Sequence, residues 1–157
     1  MVCALSLVLA ATALASTSVD VPQILAAQIV SGRHSGVRVL IPSRLIAYVG
    51  VSRLVGSGGR VGDGYDIQLS SAPKCYDATA CFVAEFWGTP GPLDPLRQHV
   101  SLAKGIEGHF RASSCGAPCS PATIEWREFG SRYEIQYMGG RSAMIALADS
   151  AIAAGPR

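Results

Sequence analysis

The chain has 157 residues, of which 49% are hydrophobic and 15% charged, and its formal net charge is +2. This composition is typical of one globular domain with a modest core, and it excludes a disordered protein or a repeat array. The 13 basic side chains are scattered along the chain rather than clustered, so no nucleic-acid partner is expected.

The first sixteen residues, MVCALSLVLAATALAS, form an apolar run followed by small residues. Ala13 and Ala15 supply an A-x-A cleavage pattern, so residues 1–15 are predicted to be a secretory signal peptide. The run is shorter than the ~20 apolar residues that span a bilayer, and no later segment reaches that length. We therefore expect an exported mature chain that starts near Ser16 and has no transmembrane span. A weak anchor is the alternative for this segment, because no Lys or Arg precedes its apolar run.

Residues 16–36 are predicted to form a short N-terminal helix and a linker. The helix DVPQILAAQIV begins with Asp20 as its N-cap and Pro22 in its first turn. Residues 37–41 alternate as a strand that Pro42 ends, and residues 45–54 form a second predicted strand. We expect the stretch GSGGRVGDG to be a flexible turn into the strand YDIQLSS, which completes a hairpin with one buried face.

The segment ACFVAEFWG predicts another strand, with Phe82 and Phe86 on one face and Trp87 on the other. The proline-rich TPGPLDP then indicates a surface turn. After this turn, QHVSLAKG and IEGHFRAS are predicted to be short strands.

The last third of the chain carries the strongest periodicity. ATIEWREFGSRYEIQYMG predicts a hairpin around Gly130, with an apolar face and a solvated face that includes Glu125 and Glu134. GRSAMIALADSAIAAGP predicts a helix that ends at Gly155 and Pro156. We expect its apolar stripe to pack on the aromatic face of the hairpin.

Export favours disulfides, and the mature chain keeps an even number of cysteines: Cys75, Cys81, Cys115 and Cys119. Three pairings are possible in principle. The close spacings in CYDATAC and CGAPC favour Cys75 with Cys81 and Cys115 with Cys119. Each bridge closes a tight loop and contributes about 2 kcal/mol in the chain-entropy model.

The pair Cys115 and Cys119 also has a chemical interpretation. Catalytic dithiols usually have two intervening residues at a helix N-terminus, whereas three intervene here and nearby prolines favour a loop. A copper site would add His109, which lies six residues before Cys115. His34, His99 and His109 show no paired spacing, so each is expected to be a surface or partly buried histidine rather than a ligand.

A resemblance extends over roughly residues 37–153. The stretches VLIPSRL, YDIQLSSAPKCYDATACFVAEF, GIEGHF, SCGAPCSPATIEW, RYEIQY and MIALADSAI resemble an uncharacterised family of exported bacterial proteins. The order I-x-G, I-x-W, Y-x-I and a helix ending A-x-S also resembles a domain of unknown function found on the outer face of bacterial membranes. The resemblance implies a bacterial periplasmic or secreted location and no catalytic residue.

These observations predict an α+β fold, with an antiparallel sheet of five to seven strands, a C-terminal helix packed on it and a short N-terminal helix. Residues 37–157 are expected to form a single domain. The predicted function is a non-catalytic envelope or extracellular module without a cofactor or metal, which binds a protein, peptidoglycan or lipid partner through Phe82, Phe86 or Trp87. The alternative is a thiol-redox or copper-handling protein that uses Cys115, Cys119 and His109.

Overall fold

The computed structural model describes residues 17–47, 53–75, 80–93 and 98–157 and has the predicted α+β fold. The predicted signal peptide lies outside these residues, as do parts of the predicted strand over residues 45–54 and of the proline-rich turn.

The strands of the described residues are β1 (Thr17–Asp20), β2 (Arg44–Ala47), β3 (Val55–Val61), β4 (Gly64–Ser70), β5 (Phe82–Thr89), β6 (Gln98–Ser101), β7 (Glu107–Arg111), β8 (Ser114–Cys115), β9 (Cys119–Ser120), β10 (Ala122–Glu128) and β11 (Ser131–Tyr137). The helices are α1 (Val21–Ile24), α2 (Ala26–Arg33) and α3 (Arg141–Ala154), and a short 3-10 turn covers Ala103–Gly105.

Seven strands form one antiparallel sheet in the order β3-β4-β5-β11-β10-β7-β6. The pairs β1-β2 and β8-β9 form two small separate ladders. The predicted C-terminal hairpin is confirmed, since β10 pairs with β11 along their whole length and the chain turns at Phe129 and Gly130.

One face of the sheet carries the hydrophobic core. A row of apolar side chains in register crosses five strands: Ile67, Phe86, Ile135, Ile124 and Phe110. Helices α2 and α3 both pack on this face. The predicted stripe of α3 is buried in full, and it comprises Met144, Leu147, Ala148, Ala151 and Ile152.

The N-terminal helix also begins as predicted. The Asp20 side chain accepts a hydrogen bond from the Gln23 amide at 3.0 Å, which satisfies an otherwise unpaired donor of the first turn. Val21, Leu25 and Ile29 are buried in the same core as the sheet. Residues 17–33 therefore pack as part of the same hydrophobic unit as the rest of the chain.

The glycine-rich stretch differs from the prediction of a flexible turn. Strand β3 contains most of its glycines, and the turn into β4 consists of Gly62 and Asp63 alone. Leu25 of the preceding helical segment lies so close that a Cβ on Gly56 would stand 2.6 Å from its side chain. The glycines thus serve close packing of α2 on the strand, and β3 is the hairpin partner of β4.

The predicted strand over residues 37–41 is not formed, since this segment joins no ladder of the described residues. Val39, Leu40 and Ile41 are nevertheless buried. The Tyr65 hydroxyl accepts a hydrogen bond from the Leu40 amide at 3.1 Å and donates one to the Leu40 carbonyl at 3.0 Å. A side chain therefore supplies the polar contacts that a neighbouring strand would otherwise provide.

Candidate functional site: the open face of the sheet

The sheet face opposite α2 and α3 carries a continuous row of polar and aromatic side chains. The residues are in register across six strands, and they are His99, His109, Glu125, Glu134, Trp87 and Asp66. We call the sheet surface around this row the open face, because the three described helices pack elsewhere.

Two carboxylates are buried at the centre of the row. Glu125 is 0% exposed and Glu134 is 6% exposed, which corrects the prediction that both lie on a solvated face. Arg132 lies on β11, two residues before Glu134. Its Nε is 2.7 Å from Glu125 Oε2, and its Nη2 is 2.5 Å from Glu134 Oε2. Gln136 donates a further hydrogen bond to Glu134 Oε1 at 2.9 Å. One guanidinium is therefore shared by two carboxylates that are shielded from water.

The electrostatic environment of Arg132 reflects this sharing. Burial lowers the pKa of its guanidinium, but the hydrogen bond with Glu134 and the charges of both carboxylates together outweigh burial and raise it. Arginine keeps its charge under all ordinary conditions. The trio of Glu125, Glu134 and Arg132 thus retains one net negative charge inside the sheet surface when both carboxyl groups are ionised.

Trp87 lies on the open face between Glu134 and Asp66, its partners on the two neighbouring strands. It is 40% exposed, although it stands on a strand near the middle of the sheet. A cavity of about 70 Å³ beside the ring is lined by Trp87, Thr89, Arg132 and Glu134. The open face therefore combines one accessible aromatic ring with polar groups on several sides.

The structure does not bring the three predicted binding residues together. Phe86 is fully buried in the core on the opposite face of the sheet from Trp87. Phe82 is half-buried and lines a separate cavity of about 150 Å³ with Cys119 and Pro121. Among the three, only Trp87 is exposed on the open face.

Both predicted cysteine pairs are bonded, Cys75 to Cys81 and Cys115 to Cys119. The second bridge joins β8 to β9 and lies close to one end of the open face, where Cys119 shares a cavity with Gln136. Because the sulfurs of Cys115 and Cys119 are bonded to each other, they can ligate copper as thiolates or act as nucleophilic thiols only after reduction. The alternative based on these cysteines and His109 stays a prediction.

Two of the histidines lie side by side, although their spacing in the sequence indicated no pair. His99 and His109 face each other across β6 and β7, with ring centroids 4.6 Å apart. The His99 imidazole also contacts the Glu107 carboxylate, and His109 Nδ1 lies 3.8 Å from Glu125 Oε1. Sequence spacing could not indicate this pair, since ten positions separate the two histidines and only the register of the hairpin makes them neighbours.

Comparison of the chain with protein-family models, curated proteins and solved structures finds no match. The resemblance to an exported bacterial family stays a prediction. None of the described helices combines the length and apolarity that crossing a bilayer requires.

Proposed function

We propose that this protein is an exported, non-catalytic binding module of the bacterial envelope, and that it binds its ligand through the open face around Trp87. The apolar leader and the two disulfides support export, because such bridges persist in oxidising compartments. The observation that carries the binding role is the exposed ring of Trp87 near the middle of the sheet.

An exposed tryptophan in this position is well suited to ligand contact. The ring offers a large rigid surface with little conformational entropy to lose, and tryptophan is enriched among residues that dominate binding energy. Its strand is held on both sides by β4 and β11, so the ring is carried by a rigid element. A ligand on this face would therefore meet a preorganised surface.

The surroundings of Trp87 favour peptidoglycan among the three predicted partner classes. The centre of a protein interface is depleted in charge, whereas this ring is flanked by Glu134, Asp66 and Arg132. Anionic lipid headgroups would meet the carboxylates of Glu134 and Asp66 beside the ring, while the Arg132 guanidinium that could attract them is already shared by Glu125 and Glu134. A glycan presents C–H faces that stack on an aromatic ring and hydroxyl groups that hydrogen-bond to carboxylate and guanidinium groups.

The cavity beside Trp87 supports the same class of ligand. Its volume of about 70 Å³ is several times the roughly 10–15 Å³ of cavity space that one water molecule needs. This size suits a small substituent such as the acetamido group that peptidoglycan sugars carry. Arg132 and Glu134 in the cavity wall offer a donor and an acceptor to the amide of such a group.

The test is co-sedimentation of the mature, oxidised protein with purified peptidoglycan. We expect the wild-type protein to sediment with the polymer and Trp87→Ala to lose at least about tenfold in affinity, because hot-spot truncations cost ~2 kcal/mol or more. Phe129→Ala is the matched control, since Phe129 is also an exposed aromatic residue, 46% accessible, but lies in the turn between β10 and β11.

Both variants should keep the wild-type thermal unfolding midpoint within a few degrees, which separates binding from folding. Equal sedimentation of wild type and Trp87→Ala would contradict the proposal. The proposal would also be contradicted if the wild-type protein bound an envelope protein or anionic vesicles but not peptidoglycan, because the open face would then serve another partner class.

A further inference from the structure

The edge of the open face contains a second cluster of chemically active side chains. The ligand atoms of His99, Glu107 and His109 all lie within 4.8 Å of one another. Glu107 and His109 are two positions apart on β7 and therefore point to the same side, and His99 faces His109 from the edge strand β6. A single hairpin thus presents two imidazoles and one carboxylate toward one point.

We propose that these three residues form a binding site for a divalent transition metal of the zinc class. Two histidines and one glutamate are a ligand set that zinc accepts, with a remaining position for water or a ligand. Tetrahedral zinc places its ligand atoms roughly 3.4 Å apart, given bonds of about 2.1 Å. The ligand atoms, now within 4.8 Å of one another, therefore need to close by no more than about 1.4 Å, whereas His99 and Glu107, which already contact each other, need to move apart.

The side chains that must move are free to do so. His99 and Glu107 are 68% and 65% exposed, so their torsion angles can adjust around an ion without disturbing the core. His109, by contrast, is 10% exposed and fixed against the sheet. The site would consist of one fixed ligand and two adjustable ones, beside a shallow depression of about 320 Å³ that leaves room for the fourth ligand.

The neighbour behind His109 is the second observation that points to a metal. Metal-binding histidines generally direct their other ring nitrogen to a carboxylate, which fixes the ring and increases its basicity. Glu125, fully buried, has its Oε1 3.8 Å from His109 Nδ1, so a small shift of the imidazole toward the carboxylate would form this contact when an ion binds. Arg132 holds Glu125 in place from the opposite side.

Charge favours a cation at the same point. The Glu107 carboxylate belongs to the ligand cluster, and the guanidinium of Arg132 is already shared by Glu125 and Glu134 behind it. Two further arginines lie nearby but bond other oxygens: Arg111 Nη2 donates to the Thr123 hydroxyl at 3.3 Å, and Arg141 Nη2 donates to the His99 carbonyl at 3.4 Å. The Glu107 carboxylate thus supplies the negative charge that a divalent ion at the three ligands would meet.

The experiment is calorimetric titration of zinc into the mature protein without a histidine tag and with both disulfides intact. We expect saturable binding of one zinc ion per chain, no binding of magnesium, and an increase in the thermal unfolding midpoint with zinc. His99→Ala and Glu107→Gln should each weaken zinc binding at least tenfold. Because both residues are exposed, these variants should fold normally even if His109→Ala does not.

Two controls locate the ion. His34→Ala removes the remaining histidine of the chain and should bind zinc like the wild type. A Cys115→Ser, Cys119→Ser double variant should also bind zinc normally, which would distinguish this site from the predicted cysteine-based one.

Imidazole ¹⁵N resonances of His99 and His109, but not of His34, should shift on addition of zinc. Absence of saturable binding, or unchanged binding in a His99→Ala, Glu107→Gln double variant, would overturn the proposal. Neither result depends on peptidoglycan binding, so the metal site and the proposed function fail independently.

Discussion

At the scale of single residues, Tyr65 connects the sheet to the buried residues 39–41, which pair with none of the described strands. Its hydroxyl bonds both the amide and the carbonyl of Leu40, and it is 2% exposed. Burial raises the pKa of this hydroxyl well above its ordinary value, so it stays protonated. The sequence alternation around Tyr65 predicted a core residue, but no local pattern indicated its polar role.

Replacing Tyr65→Phe should destabilise the protein while preserving its fold. The ring would remain in the core, but the amide and carbonyl of Leu40 would lose their partner in a buried position. Leaving buried polar groups unpaired costs about 1–3 kcal/mol. Chemical denaturation measures the change, and a free energy of unfolding equal to that of the wild type would show that water replaces the hydroxyl.

Position 88 must be glycine because the ring of Tyr65 lies against its Cα. A Cβ at Gly88 would lie 2.2 Å from Cε1 of Tyr65, its cross-strand partner. Gly88→Ala should therefore lower the free energy of unfolding by about 1–3 kcal/mol, as overpacking of cores does. Gly116→Ala is the control, since the nearest atom to its added Cβ is 4.0 Å away. Equal effects of the two substitutions would contradict the packing argument.

Tyr133 is expected to make the free energy of unfolding fall as the pH becomes alkaline. Burial raises its pKa to about 12, above the ordinary value of ~10 that it regains on unfolding. Its contribution is complete below about pH 10 and is lost as pH rises toward 12, because the unfolded state releases the proton first. In denaturation series at pH 9, 10 and 11, we expect Tyr133→Phe to lose less stability than the wild type. Parallel losses would contradict this.

At the scale of elements, the spacing of apolar residues in the sequence predicted the strands and the helix that pack against the core. Strands β10 and β11 and helix α3 each place their apolar side chains on the side that faces the core, so these residues recur at the spacing of the element. Strand β3 was missed because its inward positions are glycines, which leave room for the preceding helices and carry no apolar signal. Close packing between elements is a property that hydrophobic spacing does not encode.

The two disulfide loops give a prediction about the covalent state of the mature protein. With Cys75–Cys81 and Cys115–Cys119 closed, we expect an intact mass four hydrogens below that of the reduced chain, two for each bridge. No cysteine of a chain starting near Ser16 should be alkylated until a reductant is added. Alkylation of Cys115 and Cys119 without reductant would instead favour the thiol-redox alternative.

At the scale of the whole molecule, the two faces of the sheet have different degrees of predictability. The covered face follows from hydrophobic patterning, whereas the open face depends on which strands are neighbours in space. Glu125 and Glu134 alternate like solvated residues, and only their register beside Arg132 shows that they are buried together. The same holds for His99 and His109, which become a pair through the β6-β7 register.

The shared guanidinium makes a prediction at this scale, because Arg132 joins the two carboxylates at the centre of the open face. Arg132→Met should cost about 3–5 kcal/mol, since it leaves two buried carboxylates without their cation. Adding Glu125→Gln and Glu134→Gln to the same variant should recover most of this loss. Denaturant unfolding measures the free energy of unfolding of the single and triple variants. A triple variant as unstable as the single one would contradict the electrostatic explanation.

The central claim is that the open face, and not the helical side, is the ligand surface. The most direct measurement is a ¹H–¹⁵N NMR titration of the mature protein with soluble peptidoglycan fragments. We expect the shifted amides to cluster at Asp66, Trp87 and Glu134, together with the Trp87 indole. Shifts confined to the apolar cavity of about 180 Å³ between β2 and α3, lined by Leu45, Tyr137 and Leu147, or no shifts at all, would contradict the claim.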